Sequence, residues 1–329
     1  MKNIKTISLL IAISLYSIGS FAQKKEQFKP SGKPIMTVFT NYHSTFSDGA
    51  PEHAFQITRA YFGYQYAFSK NLSAKIVLDF GDPGIGNFQL SAYLKNAYLN
   101  YKYKNLSINF GMIGTKAFKV QEKFWGYRYV YKSFQDAYKF NSSADLGFSV
   151  DYIFNKIISA DVSVINGKGY KLVKTDSTFK VTAGLTLSPV EKLILRGYYD
   201  YYDRGEPLQT FAFFAGYSFY KFNVGAEYDY QKNHGFVDQE DFYGYSIFAS
   251  FKANDKWKIF GRYDKLISEK IANSVNPWNF KRDGQAIIAG FEFNPINGIK
   301  ISPNYQEWIP ADGSLSVRHG AYLNCEIKL

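Results

Sequence analysis

Cysteine is almost missing from this chain of 329 residues; Cys325 is the single one. A disulfide framework is therefore excluded. Long apolar runs are missing too, apart from one at the N-terminus. A bundle of transmembrane helices, each needing about 20 consecutive apolar residues, is excluded with them. Charge is sparse at 20% of residues, and mean hydropathy is -0.26. Apolar residues still reach 46%, too many for a disordered chain. Aromatics are what the chain has in excess: 28 Tyr, 30 Phe and 4 Trp, or 19% of residues, beside 26 Gly. That composition points to strands whose side chains meet an interface. It argues against the two soluble domains that length alone suggests.

Residues 1–22 read as an export signal. Lys2 and Lys5 open it, Ile7 to Ile18 form a short apolar stretch, and Ser20 and Ala22 are small residues at the positions a signal peptidase reads. Cleavage is expected after Ala22, because the stretch is too short to serve as a membrane anchor. Loss of two lysines takes the net charge from +11 to +9. In an exported chain a lone cysteine makes no internal bridge, and Cys325 is expected to face lipid as a small hydrophobe. Residues 23–33 read as a short polar lead-in. Residues 34–329 show no linker or composition shift and are expected to form one unit.

That unit repeats one pattern. Leu72, Ala74, Ile76, Leu78 and Phe80 alternate with Ser73, Lys75, Val77 and Asp79. Phe222, Val224, Ala226, Tyr228 and Tyr230 alternate with Asn223, Gly225, Glu227 and Asp229. The same period of two recurs around Leu193–Tyr201 and Trp257–Asp264. Short turns fall at 69–71, 104–105, 155–156, 188–191, 220–221, 254–255 and 294–298. Longer connections are expected between them at 43–53, 81–89, 114–142, 166–177, 203–208, 231–239, 266–283 and 308–314. Seven short and eight long connections join sixteen strands.

Strict alternation of short and long connections is the grammar of a transmembrane antiparallel β-barrel with an even strand count. A soluble all-β sandwich also alternates, but it does not need aromatics massed at strand ends. Here Phe62, Tyr64, Tyr66 and Phe68 approach one short turn, Tyr101 and Tyr103 the next, and Tyr152 and Phe154 a third. Lipid forbids open sheet edges, so the sheet must close. The last residues, Leu323 to Leu329, alternate to the end and resemble the C-terminal strand signal of outer-membrane barrels, with Leu329 where an aromatic is usual.

Three stretches resemble the phosphate-selective porin O and P family. They are Arg59-Ala60-Tyr61-Phe62-Gly63-Tyr64 with Lys75–Gly81, Leu94–Tyr101 running into Phe110–Gly114, and Trp125-Gly126-Tyr127-Arg128 with Ser143–Gly147. The match is best over residues 55–155. Where the family pattern usually has Pro-Phe after the fifth strand, this chain has Ala117-Phe118. The resemblance implies a sixteen-stranded outer-membrane porin of Gram-negative bacteria, a homotrimer, passing small hydrophilic solutes with a preference for anions.

Segment 114–142 is the longest connection, and in general porins such a loop folds into the lumen and narrows it. It carries Lys116, Lys119, Lys123, Arg128, Lys132 and Lys139 against Glu122 and Asp136, a net +4. A ring of positive charge at a constriction favours anions, since low-dielectric walls focus its field. The alternative is an outer loop whose lysines merely face water. Along the wall, alternation places Arg59, Lys75, Lys102, Arg196, Lys258, Arg262 and Arg318 on the polar side. Acidic residues such as Asp79, Asp229, Asp264 and Glu292 nearly balance them, so the loop has to decide selectivity.

Enzyme chemistry is not expected. The chain holds no Gly-x-Ser-x-Gly elbow, no His-Glu-x-x-His and no phosphate-binding loop. No cofactor or metal is expected, and the basic residues are too dispersed for a nucleic-acid surface. The sequence thus reads as a diffusion porin in the outer membrane; the alternative is a closed barrel serving adhesion or envelope structure.

Overall fold

A computed structural model describes residues 28–81, 90–174 and 176–329. The expected export signal lies outside the described residues, as does most of the connection expected at 81–89. Sixteen strands follow in chain order: β1 Ser31–Ser47, β2 Ala50–Ala67, β3 Leu72–Gly81, β4 Ser91–Tyr103, β5 Leu106–Gly114, β6 Ala144–Ile153, β7 Ile158–Ile165 and β8 Lys180–Leu187. They continue with β9 Leu193–Asp203, β10 Pro207–Phe219, β11 Phe222–Lys232, β12 Phe242–Lys252, β13 Trp257–Ser268, β14 Gly284–Phe293, β15 Ile299–Pro310 and β16 Arg318–Lys328. Two short helices, α1 Lys119–Trp125 and α2 Phe134–Ala137, lie between β5 and β6.

Each strand pairs antiparallel with its neighbours in sequence. β16 returns to β1, from Thr37 opposite Lys328 to Phe46 opposite His319, and closes the barrel. Closure gives every strand two partners, which is what a sheet surrounded by hydrocarbon requires. Side-chain alternation then gives the sheet two unlike faces. On β11, Glu227, Asp229 and Gln231 are buried while Val224 and Tyr228 are exposed. On β13, Arg262 and Asp264 are buried while Ile259 is exposed. The covered face is polar and the open face apolar, the reverse of a soluble barrel and the pattern suited to lipid outside.

All seven expected short turns are present. Asn155 and Asn254 shape two of them, each accepting two backbone N–H bonds through its side-chain oxygen. Aromatic rings gather at that end, including Tyr152–Phe154 at 4.9 Å, Phe222–Phe251 at 4.7 Å and Trp257–Phe293 at 4.6 Å between centroids. They form the aromatic belt expected at a lipid–water boundary.

Two connections differ from expectation. The long one expected at 43–53 is a two-residue turn, with Ser47 paired to Ala50. Asp48 and Gly49 both have positive φ, 55° and 74°, the conformation that lets right-twisted strands turn tightly. The connection expected at 203–208 shrinks to 204–206. β1 opens at Ser31, so Ser31 to Lys33 are strand rather than polar lead-in.

Two β-bulges interrupt the alternation. Phe39 pairs with Arg59 but Thr40 with Ile57, so Thr58 is the extra residue on β2. Val77 pairs with Asn96 but Leu78 with Leu94, so Lys95 is the extra residue on β4. A bulge swaps which residue parity faces which side. On β2, Phe55 and Ile57 are exposed before the bulge and Phe62 and Tyr64 after it; on β4, Leu94 gives way to Leu99 and Tyr101.

Candidate functional site

Segment 115–143 joins β5 to β6, the strands that frame it. Thr115 N–H donates to the Ser143 carbonyl at 3.1 Å, and the Thr115 hydroxyl donates to the Ser142 carbonyl, so both ends of the segment are strapped together. α1 stops at Gly126, whose φ of 75° lets its N–H return to the Glu122 carbonyl.

The segment's aromatics pack onto the covered face of the sheet. Trp125, Tyr127, Tyr129 and Val130 form one buried cluster with Phe39, Phe214, Phe248, Phe260, Ala286 and Ile288. Ring centroids are 5.2 Å apart for Trp125–Phe248 and 4.3 Å for Tyr127–Phe260. Phe118 packs with Tyr198 and Ala212, while Phe134 and Phe140 pack with Phe242 and Leu266.

Polar ties reinforce this packing. The Tyr129 hydroxyl donates to Glu292 at 2.9 Å and lies 2.6 Å from the Ser302 hydroxyl. Arg196 donates to the Lys116 carbonyl at 2.9 Å, and Arg262 to the Lys132 carbonyl at 2.8 Å. The Gln135 amide donates to Asp229 at 2.8 Å, and the Asn324 amide to the Tyr129 carbonyl at 3.0 Å. Burial, and then nearby Glu292, push the Tyr129 phenol far above its ordinary pKa, so it stays a donor. Burial and then Asp264 raise Tyr131 to about 12.

Beside β1–β5 the segment leaves open space. A cavity of about 530 Å³ lies there, lined among others by Tyr61, Lys75, Lys95, Tyr98, Lys116 and Lys119. A second, of about 290 Å³, is lined among others by Gln56, Arg59, Tyr131, Lys132 and Gln306. Arg128 lines both. Its guanidinium is held on the segment's own side, with Nε 3.3 Å from Glu122 and Nη2 2.8 Å from Asp136. Burial opposes its charge, but Asp136, then Tyr61 and Glu122, outweigh that and raise its pKa above the ordinary value.

Facing Arg128 stands a cluster centred on Asp79, whose side chain has no exposure. Arg59 lies 3.1 Å from it and Lys95 3.8 Å, and the Tyr170 hydroxyl donates to it at 2.6 Å. Lys95 also donates to the Tyr61 hydroxyl at 3.1 Å and sits 4.4 Å from that ring's centroid. Arg59 adjoins the β2 bulge and Lys95 is the extra residue of the β4 bulge, which is how the strands bring them to this face.

The expected site residues therefore divide. Lys75, Lys116, Lys119 and Arg128 meet at the larger cavity, and Arg59, Arg128 and Lys132 at the smaller. Lys123 and Lys139 are exposed and line neither. Arg196, Lys258 and Arg262 pair with Asp161 at 2.7 Å, Glu292 at 2.8 Å and Asp264 at 2.7 Å. Lys102 and Arg318 are exposed near strand ends. Tyr61, Lys95 and Tyr170 are additions. The bulge hides Lys95 from a strict period of two, and Tyr170 arrives from the connection after β7.

No family model and no curated protein matches the sequence. Solved structures do match. The outer membrane channel DcaP of Acinetobacter baumannii superposes with a TM-score of 0.65 at 15% identity, covering 94% of this chain and 100% of that one. An anion-selective porin from Comamonas acidovorans gives 0.67 at 12% identity over 92% and 100%. The trimer form of OmpT, an outer membrane protein of Vibrio cholerae, gives 0.61 at 14% identity over 92% and 100%. The barrel shares its fold with these outer-membrane proteins. At such low identity the likeness speaks for architecture, and the side chains have to speak for chemistry.

A larger groove, about 650 Å³, runs over Gly197, Ala215 and Ala226 between Leu185, Phe213 and Ile247. Those flanking side chains belong to the exposed apolar face, and Arg196 and Glu227 also line the groove.

Proposed function

We propose that the chain is an outer-membrane porin in which segment 115–143 lies across the lumen and narrows the path to the side along β1–β5. One observation carries this reading. The segment bonds to or packs against β1, β9, β11, β13, β14, β15 and β16, and a single stretch reaches all of those strands only from the enclosed side of a closed barrel. The apolar outer face and the aromatic belt support placement in a membrane. The fold shared with DcaP and the Comamonas porin supports the outer membrane and passive diffusion of small hydrophilic solutes. The OmpT trimer form supports a homotrimer.

Anion preference follows from the larger cavity. Lys75, Lys95, Lys116, Lys119, Arg128 and Lys328 line it against Glu122 and Glu326. A cationic surplus between low-dielectric walls concentrates anions. The resemblance to the phosphate-selective porin O and P family agrees in sign. The test is conductance in planar bilayers with reversal potentials in a salt gradient. A stable current reversing toward the anion potential is expected. Cation preference would overturn the selectivity, and absence of current would favour a closed barrel of structural or adhesive role.

A further inference from the structure

Resting on that porin reading, we infer that the larger cavity is a solute-binding site for an organic carboxylate with a flat apolar body, and that Lys75 is its charge contact. The lining of the cavity mixes two kinds of side chain. One is carbon: Phe39, Tyr61, Val77, Tyr98, Ile113 and Phe118 all line it. The other is cationic, and most of its cations are already engaged. Lys116 lies 2.7 Å from Asp151, Lys119 3.5 Å from Glu122, and Arg128 is held between Glu122 and Asp136. Lys95 is bound to Tyr61 and lies near Asp79.

Lys75 and Lys328 differ: neither side chain makes an ion pair or hydrogen bond among the described residues, but Lys328 is exposed at the last position of β16, whereas Lys75 lines the cavity from within β3. It stands directly opposite Tyr98 in the β3–β4 register, and Gly111, the next neighbour across β5, adds no side chain beside that ring. A lysine without a partner among the described residues is thus paired across the sheet with a tyrosine, and both line the cavity. The carboxylates of the lining offer nothing equivalent to a cation, because Glu326 is bound to Lys300 at 2.8 Å and Glu122 to Arg128.

This arrangement discriminates among anions. Inorganic phosphate is best held by forked guanidinium donors or a nest of backbone N–H groups. Both nearby guanidinium groups, Arg59 and Arg128, are turned to carboxylates. Phosphate would also leave the carbon side chains wet. A ring-bearing carboxylate uses both kinds, placing charge on Lys75 and carbon against Tyr98 and Tyr61. The volume, about 530 Å³, falls within the range of small-molecule sites.

The test is block of the ionic current through the full chain in planar bilayers, with benzoate, acetate and inorganic phosphate as probes. Benzoate is expected to block saturably, with acetate and phosphate at least about tenfold weaker, the factor one charge-assisted contact plus ring burial supports. Lys75→Gln should weaken benzoate block about tenfold, Lys75→Arg should restore most of it, and Lys156→Gln in a short turn should leave it unaltered. Block by phosphate or acetate equal to that by benzoate overturns the inference. So does benzoate block that survives Lys75→Gln. A steady current that no probe blocks saturably overturns the binding site alone, whereas no current at all overturns the porin reading and the site with it.

Discussion

Arg262 and Asp264, two residues apart on β13, form a two-point ion pair with both N···O distances at 2.7 Å, and neither side chain is exposed. The guanidinium's remaining nitrogen reaches the Lys132 carbonyl at 2.8 Å, and its carbon lies 5.2 Å and 5.4 Å from the Trp125 and Tyr131 rings. One pair therefore joins β13 to segment 115–143. Removing one partner of a buried pair leaves an uncompensated charge, which costs about 3–5 kcal/mol. Arg262→Met should lower barrel stability by that order. Arg262→Met with Asp264→Leu should recover a large part, as replacing a whole buried pair by apolar groups is often neutral. Urea unfolding of the refolded barrel in detergent decides it; equal loss in the single and double variants would count against the pair.

Tyr129→Phe isolates a second tie. The Glu292 side chain is almost fully buried and accepts from Tyr129, Lys258 and Asn294. Losing one donor to a buried charge costs about 1–3 kcal/mol. The segment should then fluctuate more, so current noise and mean conductance should rise. A variant with wild-type noise would mean the apolar cluster alone holds the segment.

Lys95 should matter more to ion preference than Lys102 or Arg318. Two unit charges 4 Å apart interact by about 4 kcal/mol near a protein surface and about 1 kcal/mol in bulk water. Lys95 lines the larger cavity, whereas the other two are exposed near strand ends. Lys95→Gln should shift the reversal potential toward zero, while Lys102→Gln and Arg318→Gln move it little. Three equal shifts would show that the filter lies elsewhere.

His234 makes stability depend on pH. It lies in the connection after β11, stacked on Trp278 at 5.4 Å, and burial, then Lys139 and Arg282, push its pKa below the ordinary 6.5. Below that ordinary value the unfolded chain takes up a proton that the folded chain refuses. The contribution is therefore complete above about pH 6.5 and is lost as pH falls toward the folded value. Thermal unfolding at about pH 7.5 and about pH 5.5 should show a larger drop for the wild type than for His234→Phe, which keeps the ring stack. Equal drops would assign the pH dependence to other groups.

Much of the barrel was legible in the sequence because a strand in lipid obeys local rules. Alternation, seven polar turns and aromatic strand ends are properties of neighbouring residues, and they are enough to count sixteen strands. The Asp48-Gly49 turn was equally legible as a hairpin signal, but the length prior for outer loops hid it. Lys95 was not legible: its parity groups it with Ala97 and Leu99, and only a bulge paired against Val77 turns it to the polar face. Tyr170 reaches Asp79 across a sequence distance that no local pattern spans.

The sequence by itself determined the strand count, the two faces and the positive third connection. Tertiary structure decided which charges remain free. Arg196, Lys258 and Arg262 are bound to carboxylates, Lys123 and Lys139 are exposed, and Lys75 lines the larger cavity without an ion-pair or hydrogen-bond partner among the described residues. The physical reason is that facing follows from a period of two along one chain. Pairing depends on distances between strands, set by register, bulges and the packing of segment 115–143.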